Sequence, residues 1–231
     1  SDWQFQVAGA SGPEFVMDGA LDSTDFKISD NGMVLWAAVR GTKLYVATWG
    51  TGDDGNDHFV YVNHTLGDAV PSAWAKAGFV FLGSNHVFLA GSGNAGDSHY
   101  SAWFGVSGST TNANAKGAEP YNYLEGELDL VDHFGSVPTA LYMAVGAYGT
   151  DDGGALTGQA PAAWDVNDNI ELTELLRVPI ASIRDEDADG HFDGGSPLMW
   201  TVVNGNTNDA NYGLRRFFLD EVAGDQEQLT V

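Results

Sequence analysis

The sequence predicts an all-β fold: a two-sheet antiparallel sandwich, jelly-roll-like, with short helical turns and long acidic loops, formed as a single domain over residues 1–231. Apolar stretches are short and recur between turn signals every ~8–12 residues, which gives about a dozen strands and the rhythm of a sandwich. Glycine is abundant at 30 residues, and it supplies the backbone freedom that many tight turns need. Hydrophobic residues make up 43% of the chain and aromatics 12%, enough for a sizeable core, so high net charge does not imply disorder here. Sandwiches of this length commonly form one unit, and no repeat of fixed period divides the chain.

Residues 2–8 alternate Trp3, Phe5 and Val7 with polar neighbours, the pattern of a half-buried strand. That strand pairs either within its own sheet or along the open edge of a neighbouring subunit. Short apolar pieces follow at 15–22 and 25–28. Residues 33–40 and 43–49 read as two strands joined by a tight turn at Gly41 and Thr42, and 57–63 as the next. A second hairpin is expected from 77–82 and 86–90 across the turn at 83–85, then a strand at 100–106. Residues 107–119, rich in Ser, Thr, Asn, Gly and Ala, read as a surface excursion within the domain. Residues 123–130 alternate acidic and apolar side chains like a strand, while 128–134 also reads as a short helix stopped by Gly135 and Pro138. The near-continuous apolar run 139–148 marks a central buried strand. A helical turn is expected within 172–176, strands at 178–183 and 198–203, and a last strand near 215–219.

In the first third of the chain, Asp18-Gly19, Leu21-Asp22, Gly41, the run Leu44, Tyr45, Val46, Ala47, and the set Asp57, Phe59, Val60, Tyr61, Val62 form short motifs in a fixed order. This pattern resembles the carbohydrate-binding modules of family 9 and the related DOMON β-sandwiches. The resemblance implies a jelly-roll-like module attached to secreted glycan-degrading enzymes. It also implies aromatic and polar groups that grip sugars, with structural calcium.

Acidic residues number 32 against nine basic ones, a formal charge of −23. The electrostatic term that drives binding to nucleic acid or to an anionic membrane is repulsive for such a chain, so neither is an expected partner. The absence of cysteine excludes disulfides, thiolate zinc sites and cysteine nucleophiles. No run of about 18 apolar residues marks a membrane span. No charged and apolar leader opens the chain, so an exported protein is expected here in its mature form, with the signal peptide removed.

Residues 185–193, "DEDADGHFD", place carboxylates at loop positions 1, 3, 5 and 9 and glycine at position 6. Calcium takes six to eight oxygens, about the number that short aspartates at alternate positions supply around a sharp glycine turn. The expected ligands are Asp185, Asp187, Asp189 and Asp193 by side chain and His191 by its carbonyl. The loop resembles those of EF-hands, dockerins and thrombospondin type 3 repeats. At position 12, however, stands Ser196 in place of the bidentate Glu of an EF-hand, and 194–197 read Gly-Gly-Ser-Pro in place of a helix. A calcium staple joining two strands is therefore expected, not a sensor. Weak monodentate loops fill only at roughly millimolar calcium, an extracellular level, which points to a secreted protein. The oxygen-rich stretches 53–57 and 165–169 read as solvated turns.

Glu127, Asp129 and Asp132 resemble the acidic signature of family 16 glycoside hydrolases, in which two carboxyls flank the scissile bond, and strand alternation puts Glu125, Glu127 and Asp129 on one face. Asp132 replaces the second Glu of that signature, and acidic strand faces are ordinary in so acidic a chain, so a non-catalytic protein is expected. The histidines His58, His64, His86, His99, His133 and His191 show no ligand pair, and no nucleophile-elbow pattern marks a serine. Of the seven tryptophans, Trp36 and Trp200 read as core, while Trp49, Trp74 and Trp164 stand at strand ends or in loops, where aromatic faces can stack on sugars. The expected function is glycan or polysaccharide binding by a secreted, calcium-stabilised module. The alternatives are a self-assembling extracellular fibre or matrix subunit, a homopolymer that donates residues 2–8 to its neighbour, and the glycoside hydrolase.

Overall fold

In the computed structural model the described residues are 15–50, 56–91, 101–105, 110–111, 115–118, 123–162, 165–193, 198–200 and 215–217. The first half of the chain gives β1 (Lys27–Asn31), β2 (Met33–Arg40), β3 (Lys43–Gly50), β4 (Asn56–Asn63), β5 (Val70–Pro71), β6 (Phe79–Val80), β7 (Val87–Gly91) and β8 (Ser101–Gly105). The second gives β9 (Thr110–Thr111), β10 (Ala115–Ala118), β11 (Tyr123–Asp129), helix α1 (Leu130–Phe134), β12 (Ala140–Gly149), β13 (Leu156–Ala160), β14 (Leu176–Pro179), β15 (Leu198–Trp200) and β16 (Arg215–Phe217). One sheet has the order β1-β2-β3-β11-β10 and the other β13-β12-β4-β7-β8-β9, with β14 also paired to β12. All these strand pairs are antiparallel. β3 and β11 are neighbours in one sheet, and their successors β4 and β12 are neighbours in the other. That double crossover is how a sandwich joins its sheets.

The inner faces hold one apolar cluster. It takes Met33, Leu35, Ala37 and Val39 from β2, Leu44 and Val46 from β3, Val60 and Val62 from β4, Leu124 and Leu128 from β11, and Leu141, Met143 and Val145 from β12. Trp103 sits in its centre, fully buried. Gly126 makes that possible, because a Cβ there would lie 2.7 Å from Trp103 Nε1 and 2.8 Å from Leu89 Cδ1. Both outer faces are also covered. Over the seven-stranded sheet, the loops around β5, β6 and Ile170 bury Phe59, Tyr61, Phe88 and Tyr148, whose rings meet edge-on or offset with Phe59 at 5.5–5.9 Å. Each such pair adds about 0.5–1.5 kcal/mol beyond its area. Over the five-stranded sheet, Phe15, Phe26 and Phe192 pack on Trp36 and Tyr45. β2 is buried at every position for this reason, and its sequence is an apolar run in place of an alternation.

The all-β sandwich and the hairpin of β2 and β3 are as the sequence predicts. The second hairpin is not. β6 pairs with the two-residue β5, and β7 inserts between β4 and β8. Residues 107–119 hold β9 and β10, which extend the two sheets at their edges. Helix α1 begins at Leu130, not at Leu128, because Asp129 caps it by accepting the N–H groups of Val131 and Asp132. The strand expected over 178–183 is β14 followed by a 3-10 turn at Ile180–Ser182. The strand expected at residues 2–8 lies outside the described residues. Among the described residues, no helix is long and apolar enough to cross a membrane.

Candidate functional site

The acidic loop is hung from the end of β2. Val39 N–H donates to Ile183 O at 2.7 Å and Asp185 N–H to Val39 O at 3.0 Å, so the chain enters the loop as a short parallel extension of the five-stranded sheet. Asp193 N–H donates to Arg184 O at 2.8 Å and closes the base. Between these ends Gly190 adopts φ +87, the left-handed turn that glycine accepts without strain. Asp189 N–H donates to Asp187 Oδ1 and His191 N–H to Asp189 Oδ1, each a local turn made by an aspartate side chain.

This path brings carboxylate oxygens of Asp185, Asp187 and Asp193 within 4.8 Å of one another. Asp185 is fully buried, and the Nε and Nη2 of Arg40 donate to its Oδ2 at 3.0 and 2.7 Å. Its Oδ1 is buried with no hydrogen-bond partner. An orphaned buried carboxylate oxygen costs several kcal/mol in general, unless a cation or donor reaches it. Burial and the neighbouring charges of Asp187, Asp185 and Glu186 push the Asp193 carboxyl up, against the pull of the Glu186 N–H, which donates to it at 2.5 Å. Three acids held this close repel one another, and a bound cation removes that repulsion.

Asp189, expected as a side-chain ligand, stands differently, while the expectation for His191 concerns its carbonyl and not its ring. The Asp189 side chain is outside the converging set, and the His191 ring turns away to Asp25, with Nδ1 2.6 Å from Oδ2. The loop fastens more than two strands. Ser23 Oγ–H donates to Gly190 O at 2.6 Å, Gly41 N–H donates to Glu186 Oε2 at 2.7 Å, and Phe192 packs on Phe26 at 5.6 Å. The loop thus ties the segment around Ser23 and the turn between β2 and β3 to the end of β14. Sequence reasoning missed Arg40. Its signal was a basic residue closing a strand that is otherwise apolar, in a chain with nine basic residues.

A second acidic group lies on β11. Glu125, on the outer face of β11, is fully buried and accepts the Gly19 N–H at 2.6 Å and the hydroxyls of Tyr123 and Tyr45 at 3.1 and 3.3 Å. Burial pushes its carboxyl up to about 7, although these donors pull the other way. Burial likewise raises Asp22 beside it. Tyr123 stands opposite Trp49, Glu125 opposite Ala47, Glu127 opposite Tyr45 and Asp129 opposite Lys43, so the three acids of β11 share one face.

That face is occupied structurally. Asp129 caps α1 and accepts the Thr42 hydroxyl at 2.9 Å. Burial pushes its carboxyl up, but the N–H groups of Asp132 and Val131, the Thr42 hydroxyl and the Lys43 charge together hold it below the usual range. Glu127 is buried, with Lys43 Nζ at 3.5 Å. Asp132 lies on the helix, exposed and away from the strand face.

The tryptophans separate in the same way. Trp49, 42% exposed at the end of β3, presents its ring to solvent. Trp74 folds back onto the aromatic layer, edge-on to Phe59 at 5.2 Å and to Phe104 at 5.6 Å. Trp164 lies outside the described residues. At 165–169, Asn167 donates by backbone and side chain to Asp165, while Asp168 Oδ1 accepts Leu156 N–H and Asn169 Oδ1 accepts Phe79 N–H, so these oxygens are engaged by the turn itself and by neighbouring backbone. No protein-family model, no curated protein and no solved structure matches the chain.

Proposed function

We propose that this protein is a secreted, non-catalytic β-sandwich, stabilised by calcium, that binds glycan on the outer side of its five-stranded sheet. The observation that carries the reading is the orphaned Oδ1 of Asp185, buried beside the carboxylates of Asp187 and Asp193. Hard oxygen donors in this number and charge suit calcium, and the residues that would hold it are Asp185 through Oδ1, Asp187 and Asp193. The exposed ring of Trp49 supports the glycan part, since a sugar's apolar C–H face can lie on it while nearby polar side chains take the hydroxyls. The use of Glu127 and Asp129 in packing and capping supports a binding role over hydrolysis.

Thermal unfolding with added calcium, with magnesium and with chelator tests the metal. Saturation at about 100 times the dissociation constant stabilises the fold by ~2.7 kcal/mol, and Asp193→Asn should abolish most of that gain. An unchanged melting temperature over millimolar calcium sinks the proposal for the metal. Glycan-array binding that survives Trp49→Ala sinks it for the sugar-binding face.

A further inference from the structure

A cleft of about 460 Å3 opens at the end of the seven-stranded sheet next to α1, and neither Trp49 nor any residue of the acidic loop lines it. Three adjacent strands deliver its polar side chains. Arg177 on β14 lies opposite Tyr142 on β12, Tyr142 lies opposite Asn63 at the end of β4, and His64 follows directly. Phe134, the last residue of α1, packs on the His64 ring at 4.7 Å, and Ser136 and Thr139 complete the wall. No aspartate or glutamate is among the described residues lining it.

The charge of Arg177 is what sets the cleft apart. Lys27, Arg40, Lys43, Lys76 and Arg184 each face a carboxylate. Among the described lysine and arginine side chains, Arg177 alone has no carboxylate partner, although the chain carries 32 acids. It is exposed on an edge segment where its five donors remain available. His64, which also lines the cleft, has its Nδ1 buried with no hydrogen-bond partner. A guanidinium presents a planar fork that matches a carboxylate in two parallel hydrogen bonds. The hydroxyls of Ser136 and Thr139 match neutral ring hydroxyls, and the rings of Phe134 and Tyr142 offer an apolar face. The field of a chain with charge −23 repels an anion in proportion to its charge, which favours a ligand with a single negative charge over a polyanion.

We infer that this cleft binds a single uronic-acid residue, with Arg177 on its carboxylate and Ser136 and Thr139 on its hydroxyls. The inference stands on side chains separate from Trp49 and from the calcium loop, so each can fail without the other.

The test is a titration of the full chain, in saturating calcium, followed by the amide and side-chain NMR resonances of Arg177 and His64. Glucuronate and galacturonate are the probes. Glucose, glucuronamide and sulfate are the controls. The expected result is a saturable shift at Arg177 and His64 with a uronate and none with glucose or glucuronamide. Arg177→Ala should weaken it about tenfold or more with an unchanged melting temperature, as loss of a charge-assisted pair predicts. No shift with either uronate overturns the inference. An equal shift with sulfate overturns it in favour of a general anion site, and retained affinity in Arg177→Ala overturns the role of the guanidinium.

Discussion

The two outer faces of the sandwich solve one problem with opposite materials. Each must fasten a layer of loops over a sheet that is already buried on its inner side. Over the seven-stranded sheet the fastener is a tethered cation. Lys76 Nζ donates to the carbonyls of Gly149, Thr150 and Asp151 at 2.7, 2.6 and 3.1 Å and pairs with Asp57 Oδ2 at 2.7 Å. Four oxygens surround one ammonium, and the site is complete. Over the five-stranded sheet the fastener is the loop 185–193, where Arg40 occupies one oxygen of Asp185 and the other has no partner. The first face carries its cation in the chain. The second gathers the carboxylates of Asp185, Asp187 and Asp193 beside Arg40 and leaves one buried oxygen without a partner.

The largest effect should come from emptying the complete site. Lys76→Met leaves Asp57 buried without its charge partner and three carbonyls without their donor, and breaking a buried pair this way costs about 3–5 kcal/mol. Urea unfolding should show that loss equally with calcium and with chelator. A loss that calcium restores, or one smaller than a surface substitution gives, would break the contrast between the two faces.

How much of this was legible in the sequence follows from the same contrast. The convergence of Asp185, Asp187 and Asp193 could be read because it is local, with all three within nine residues of chain and glycine at the turning position. The Lys76 site could not. Three of its four acceptors are backbone carbonyls 73 to 75 positions from Lys76, which no sequence pattern marks. The strand alternation of β11 placed Glu125, Glu127 and Asp129 on one face correctly, because period-two geometry needs no tertiary information. Their roles there depend on Gly19, Thr42 and Lys43, brought in from distant positions. The expected hairpin over 77–90 failed for a related reason. Two apolar runs across a glycine turn look alike whether they pair with each other or, as β6 and β7 do, with other strands.

The acid-built face should also be the one whose stability falls as pH rises. Glu125 is pushed up to about 7 from an ordinary 4.5, so the native state holds a proton that the unfolded chain releases. Its contribution is therefore complete below the unfolded value and is lost as pH rises through about 7. His58, buried beneath the other face, is pushed down to about 4 from 6.5 and acts in the opposite direction, losing stability as pH falls through that window. Glu125→Gln should leave stability near pH 4 unchanged and raise it at pH 8 by ~1–3 kcal/mol relative to the parent. The comparison belongs in saturating calcium, so that ligand protonation does not enter. Parallel pH curves for parent and variant would show that Glu125 is not held protonated by its surroundings.

The smallest effect separates the sequence pattern from the folded loop. By spacing alone, Asp185, Asp187, Asp189 and Asp193 are equivalent. In the fold, Asp187 joins the converging set, whereas the Asp189 side chain accepts the His191 N–H and points its charge elsewhere. Asparagine at 189 keeps that acceptor oxygen and removes only a charge outside the cluster. Asp189→Asn should therefore change stability by no more than ~0.5 kcal/mol, the range of an exposed substitution, and leave calcium affinity nearly intact. Asp187→Asn removes one of the three clustered charges and should weaken calcium about tenfold, since charge count sets the affinity of such loops. Calcium titrations of the two variants decide between the readings. If both lose affinity equally, the loop closes around the ion with all four aspartates, and the linear spacing describes the bound state better than the three-carboxylate cluster does.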